Sequence, residues 1–133
     1  WYHTSWKGDV TKSGGVATNI GIHFFDMLIW IFGNVQEVTV HTQDVEHAAG
    51  TLELARASVK WFLSINSNHL PEAAAKAGKR TYRSLTMEGN EIEFSEGFTD
   101  LHTKSYEEIL KGNGFTLQDA YPSIQVAFKL RNA

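Results

Sequence analysis

Ser13-Gly14-Gly15-Val16-Ala17-Thr18-Asn19-Ile20-Gly21-Ile22-His23-Phe24-Phe25-Asp26-Met27-Leu28-Ile29-Trp30-Ile31-Phe32-Gly33 is the stretch that decides the fold of this chain. Its pattern predicts one long helix from Val16 to Phe32, begun after the glycine pair and stopped by Gly33. Ile20, Phe24, Met27, Leu28 and Ile31 recur at helical spacing. Ile22, Phe25, Ile29 and Phe32 make most of the remainder apolar, and such a helix is expected to be buried on more than one side. Polar residues interrupt it too often for a bilayer span.

The interruptions carry chemistry. Asn19, His23 and Asp26 stand at i, i+4 and i+7, within roughly 60° of one another on one stripe. No Lys, Arg, Glu or Gln occurs from Val16 to Phe32, so this is not an ordinary solvated face. Buried polar groups need partners. Three readings stand: core polar residues satisfying one another or nearby backbone, a metal site, or an active-site stripe. A metal is disfavoured because Asn is a poor third ligand and no Cys or second His shares the face. Gly21, costing ~1 kcal/mol against Ala in mid-helix, marks a close approach of backbone or ligand.

The 133 residues suffice for one domain with its own core. A net charge of −3 offers no surface for nucleic acid or anionic membrane. The absence of cysteine excludes disulfides and thiolate chemistry and fits a reducing, cytoplasmic setting. No signal peptide or spanning segment is visible, and the start on Trp1-Tyr2 without Met suggests a piece of a longer protein.

Along the chain, 1–6 reads as the end of a strand and 7–15 as a polar, Gly-rich loop. The helix start at Gly15 presents free donors and a positive dipole end to an anion, or is a plain connection. Strands are expected at 35–42, 51–54 and 58–66, the last with Val59, Trp61, Leu63 and Ile65 on one face and Lys60, Phe62 and Ser64 on the other. A polar excursion follows, with a helical turn at 72–76. A hairpin is expected about Gly89-Asn90, then a helix at 103–110. A capping box at Thr116 to Asp119 opens the last helix, whose first turn or so takes Pro122. Tyr121, Ile124, Val126, Ala127, Phe128 and Leu130 supply its buried side. The order implies α+β: an open, mainly antiparallel sheet with helices on one face. No Gly-x-Gly-x-x-Gly occurs, so a dinucleotide-binding fold is not expected in this chain.

These residues resemble the C-terminal domain of the glucose–fructose oxidoreductase / inositol dehydrogenase family (Gfo/Idh/MocA). That family has a Gly-rich turn followed by Asp-x-Gly-x-His-x-x-Asp on a helix. Here it reads Ser13-Gly14-Gly15, then Asn19-Ile20-Gly21-Ile22-His23-Phe24-Phe25-Asp26, with Asn19 in place of the first Asp. Trp1-Tyr2, Ser5-Trp6-Lys7-Gly8-Asp9, Trp61-Phe62-Leu63-Ser64-Ile65 and the stretch 94–103 (Phe94 to Thr103) look like the branch oxidising the sugar 3-hydroxyl of UDP-N-acetyl-2-amino-2-deoxy-glucuronate. The likeness covers essentially the whole chain.

The resemblance implies the substrate-binding and oligomerisation half of an NAD-dependent sugar-nucleotide dehydrogenase of surface polysaccharide biosynthesis. The Rossmann domain, its Glu-Lys-Pro segment and the first strand of the sheet would lie outside the chain. His23 is implied as the base, or as a residue that orients the hydroxyl with the missing Lys. Asn19 would bind a sugar hydroxyl. Asp26 would hold the His23 ring or anchor the helix. Lys7 would meet the uronate or diphosphate, or be a plain exposed Lys. Trp6, with Tyr2, would wall the sugar pocket or sit in core at a sheet edge. NAD would be held by the absent domain and not by this chain alone. The partners implied are a UDP-sugar and further copies of the protein, joined through one face of the sheet: of the face bearing Trp61, Leu63 and Ile65 and the opposite one bearing Phe62, one would cover helices and the other a partner. The alternatives are an oligomerisation module or a stand-alone sugar-binding domain.

Overall fold

A computed structural model describes residues 2–96 and 99–133, the side chain of His3 excepted. The elements run α1 (Val10–Ser13), α2 (Gly15–Asn19), α3 (Gly21–Phe32), β1 (Val35–Gln43), β2 (His47–Leu54), β3 (Ala57–Ser64), α4 (Glu72–Lys76), β4 (Ser84–Met87), β5 (Asn90–Glu93), α5 (Leu101–Leu110) and α6 (Leu117–Arg131). They form two compact units, residues 1–65 with 116–133, and residues 66–115. The α+β class holds: every strand pair is antiparallel, in a three-stranded sheet β1-β2-β3 and a two-stranded sheet β4-β5.

In the first unit the expected strand end is instead two 3-10 turns, Tyr2–Thr4 and Trp6–Gly8. Trp1 lies outside the described residues. Ser5 caps the second turn by accepting from the Lys7 N–H at 3.3 Å. The expected loop contains α1, capped by Asp9, whose Oδ1 accepts from the Thr11 N–H at 3.0 Å. Gly14 closes α1 in the left-handed region (φ 74°) with its N–H on the Val10 carbonyl; only glycine adopts that conformation cheaply. Local capping here overrode the β preference of the aromatic residues.

The single long helix is interrupted at Ile20. That residue stays right-handed (φ −96°, ψ −43°) and its N–H still reaches the Val16 carbonyl, so the break is slight and coincides with Gly21, as glycine bends do. A Cβ on Gly21 would lie 2.6 Å from the Phe25 ring and 2.9 Å from a Leu63 methyl. Gly21 therefore serves the approach of α3 to the sheet.

β2 is the central strand. Ala48, Gly50, Leu52 and Leu54 alternate into the core with Val16, Ala17, Phe25, Leu28 and Trp61. Trp61 lies over Gly50, its register partner, and meets Phe25 edge-on with centroids 5.4 Å apart. In β3, Trp61 faces inward and Lys60 and Phe62 outward, as expected. A register shift between Val35 and Glu37 resets the phase of β1, so Val35 and Val38 are both half-buried although strict alternation puts them on opposite faces.

α6 packs on α2, α3 and β1 through Ser123, Val126, Ala127 and Leu130. Tyr121, Ile124 and Phe128, expected inside, are exposed. They belong to a second apolar stripe about 140° round the helix, and only one stripe can face the sheet. Pro122 sits six residues in, past the first turn. The capping box is present: the Thr116 N–H and hydroxyl donate to Asp119 Oδ2 at 2.6 and 2.7 Å. No helix among the described residues is long and apolar enough to cross a membrane.

In the second unit α4 falls where expected. The hairpin turn is Glu88-Gly89, one residue earlier than read, with both φ values positive (51° and 79°), the geometry of a primed two-residue turn. The Tyr82 hydroxyl donates to Glu91 at 2.7 Å and Lys79 pairs with Glu93 at 2.9 Å across the hairpin. Gly97 and Phe98 of the branch-like stretch lie outside the described residues.

Two outcomes are expected. Gly50→Ala drives a methyl into the Thr39 carbonyl and the Trp61 ring and should cost at least about 2 kcal/mol, read as a lowered urea midpoint. The Thr116 hydroxyl and then its backbone N–H hold the Asp119 carboxyl below the usual carboxylate range. A depressed folded pKa contributes stability above the unfolded value that is lost as pH falls through the folded one. Asp119→Asn should therefore flatten the acid limb of the stability–pH curve.

Candidate active-site face

The expected stripe is assembled across the break: Asn19 closes α2, and His23 and Asp26 lie on the first two turns of α3. Asn19 is half-buried, and His23 and Asp26 are exposed. None of the three side chains has a hydrogen bond or ion pair with another described residue. The reading as buried, mutually satisfied core polar residues therefore fails. Asp26 makes neither a bond to the His23 ring nor one that ties α3 down.

The stripe faces outward because the other side of α3 is filled. Gly21, Phe25 and Leu28 are the buried residues of that helix. The expectation of burial on several sides is corrected at Trp30, which is 78% exposed. Trp30 stands four residues after Asp26 and falls on the centre line of the Asn19–His23–Asp26 stripe. The sequence reading overlooked it; its position at i+7 from His23 was the available signal.

The 3-10 turn Trp6–Gly8 packs against α2, which brings Trp6 and Lys7 beside the helix that ends at Asn19. Lys7 is half-buried. Trp6 is exposed rather than core at a sheet edge. Gly15 is buried, and its N–H donates to Ser13 Oγ at 3.1 Å. One of the backbone donors at the helix start is thus engaged within the chain. Two shallow surface hollows lie along α6, one of about 290 Å³ against Asn34, Pro122 and Lys129, the other of about 470 Å³ against Thr116, Leu117 and Tyr121.

Chemically, the face presents a hydrogen-bonding amide, an imidazole and a carboxylate unengaged by the protein, with a flat indole at one end. His23 and Asp26 stand open to solvent on it. A proton transfer on it would run in bulk water unless a second surface closed over it.

Comparison with known proteins bears on the fold and the family. Residues 1–74 match the family model described as "Oxidoreductase family, C-terminal alpha/beta domain". The chain is similar to the WlbA (WbpB) dehydrogenase from Thermus thermophilus crystallised with NAD and α-ketoglutarate, with 56% identity and a TM-score of 0.93 over 98% of this chain and 42% of that one. It is similar also to the WlbA (WbpB) dehydrogenase from the same organism crystallised with NAD and UDP-GlcNAcA, with 54% identity and a TM-score of 0.92 over 98% and 42%. The chain thus spans 42% of the length of these relatives. It belongs to the Gfo/Idh/MocA oxidoreductase family, of which it carries the C-terminal α/β domain.

Proposed function

We propose that this chain is the substrate-binding half of an NAD-dependent sugar-nucleotide dehydrogenase that oxidises the 3-hydroxyl of a UDP-N-acetylglucosaminuronate-type substrate. The observation that carries the reading is the outward stripe of Asn19, His23 and Asp26, polar and unengaged by the protein on a helix otherwise built for packing. The ligands of the similar Thermus protein, NAD and UDP-GlcNAcA, support the choice of chemistry.

The strand pairs among the described residues are antiparallel, unlike the parallel strand–helix–strand arrangement of a dinucleotide-binding fold, which supports placing the cofactor elsewhere. The two-electron acceptor is assigned to a domain outside this chain. What this chain does is bind and move the proton. Imidazole suits a base working near neutral pH, and His23 takes the hydroxyl proton. Asn19, one turn earlier, both donates to and accepts from a sugar hydroxyl. Asp26 lies one turn beyond His23 and supports the developing imidazolium through its charge. Lys7 meets the uronate or diphosphate as a point charge, Trp6 forms part of the pocket wall, and Gly15 sets the turn that delivers Asn19. Copies pair through the open sheet face, where Phe62 is exposed beside Ala49 and Thr42. The enzyme acts in the cytoplasm, where UDP-sugars and NAD are available, in surface polysaccharide biosynthesis.

In the full-length enzyme His23→Ala should lower kcat by about 10²–10⁴-fold while shifting stability by no more than about 0.5 kcal/mol, since the side chain is exposed and unbonded. Near-normal turnover removes His23 from the mechanism. Calorimetry on the isolated chain should show no NAD binding at micromolar concentration; micromolar affinity overturns the division of labour.

A further inference from the structure

Asn113-Gly114 is the one Asn-Gly pair in the sequence, and it lies in the link 111–116 that leads from α5 into α6. The backbone nitrogen that follows an Asn can close a five-membered ring on the side-chain Cγ. Two things ordinarily oppose this closure: the bulk of the next side chain, and a hydrogen bond that holds the next N–H. Neither operates here. Residue 114 has no side chain, and its N–H makes no hydrogen bond to another described residue. Asn113 and Gly114 are both exposed, so water reaches them. The glycine is also held in place by packing. A Cβ at 114 would lie 2.9 Å from Cγ1 of Ile109 and 3.4 Å from its Cα, so any side chain there requires Ile109 to shift.

The surroundings of the pair give its chemistry a structural result. α5 buries none of its residues, and the Asp100 side chain makes no capping bond at its start. Its C-terminal end is the one tied down. Gly112 turns into the left-handed region (φ 82°), with its N–H on the Ile109 carbonyl at 3.0 Å, and the Asn113 N–H reaches the Glu108 carbonyl at 2.8 Å. The Asn113 side chain completes the tie, Nδ2 donating to Glu108 Oε2 at 3.0 Å. Lys111 Nζ donates to Glu108 Oε1 at 2.8 Å. A short helix without a buried face depends on such local bonds. We propose that Asn113 is a self-modification site, converted by its own chain to aspartate and isoaspartate, and that conversion releases the C-terminal end of α5. The Gly114 nitrogen gives up its proton and bonds to Cγ of Asn113. The Cγ–Nδ2 bond breaks, and ammonia leaves with that proton. Water then opens the cyclic imide at one of its two carbonyl carbons. Opening at Cγ leaves an aspartate on an ordinary backbone. Opening at the main-chain carbonyl carbon routes the backbone through the side chain and lengthens it by one methylene. Nothing is oxidised or reduced. In both products a carboxylate replaces the amide that donated to Glu108, so two like charges meet where a hydrogen bond stood.

The full-length protein, held at mildly alkaline pH in its native state beside a sample unfolded in urea, tests this. Trypsin cleaves after Lys111 and Lys129, and the peptide 112–129 contains no second Asn. That peptide should gain about 1 Da in both samples, the native one converting within about tenfold of the unfolded rate. It should elute as two products, one of them a substrate for an isoaspartate methyltransferase. In hydrogen exchange, Asn113→Asp should speed exchange of the α5 amides by at least about fivefold. Asn113→Asp/Glu108→Gln, which restores a donor facing the new carboxylate, should recover most of that protection. A native peptide that converts more than about tenfold slower than the unfolded one overturns the site. Unchanged exchange in Asn113→Asp, or exchange that the second substitution does not slow, overturns the coupling to α5. None of these readings depends on NAD, substrate or His23.

Discussion

The stacking of Trp61 on Gly50 is the constraint from which the first unit is built. Gly50 on the central strand has no side chain, and the indole occupies the space a Cβ would need. The indole also meets Phe25 in an edge-to-face contact, with centroids 5.4 Å apart. Phe25 in turn sits beside Gly21, which also admits Leu63. Two glycines and two rings thus seat α3 on the sheet at close range. The indole N–H is buried there with no hydrogen-bond partner among the described residues, a defect that costs about 1–3 kcal/mol and is outweighed by the area the ring removes from water.

That packing aims the chemistry. Because Gly21, Phe25 and Leu28 fill the inward side of α3, the stripe of Asn19, His23, Asp26 and Trp30 has to turn outward. The α2–α3 break leaves Asn19 on the last residue of one helix and His23 near the start of the next, still on one line. An imidazole in open water has neither the low dielectric nor the fixed dipoles that make proton transfer efficient. The proposed proton transfer therefore requires another surface to exclude water from this face.

The same reasoning accounts for the surface. A two-layer unit with one sheet and one helical layer has two outward faces. The sheet face mixes Thr39, Thr51 and Lys60 with the exposed ring of Phe62. The helical face carries Trp30 and the exposed Tyr121, Ile124 and Phe128 of α6. Both expose large apolar groups of the kind that mark contact surfaces.

Much of this was legible in the residue order. The strand alternation at 58–64, the capping box at Thr116 and the spacing of Asn19, His23 and Asp26 are local patterns, and they emerged as read. What escaped were choices among equivalent local signals. α6 has two apolar stripes, and periodicity cannot say which one meets the sheet; contact with α3 and β1 chose Val126 and Leu130 over Tyr121 and Phe128. The bulge in β1, the Glu88-Gly89 turn and the α1 cap on Asp9 each depend on backbone geometry that a hydrophobic pattern does not encode. The sequence by itself determined that a polar triplet would share one side of a helix, because 100° per residue is a property of the backbone. Only the tertiary structure decided that this side would face out, because the space on the other side was already filled by Trp61 and Leu63.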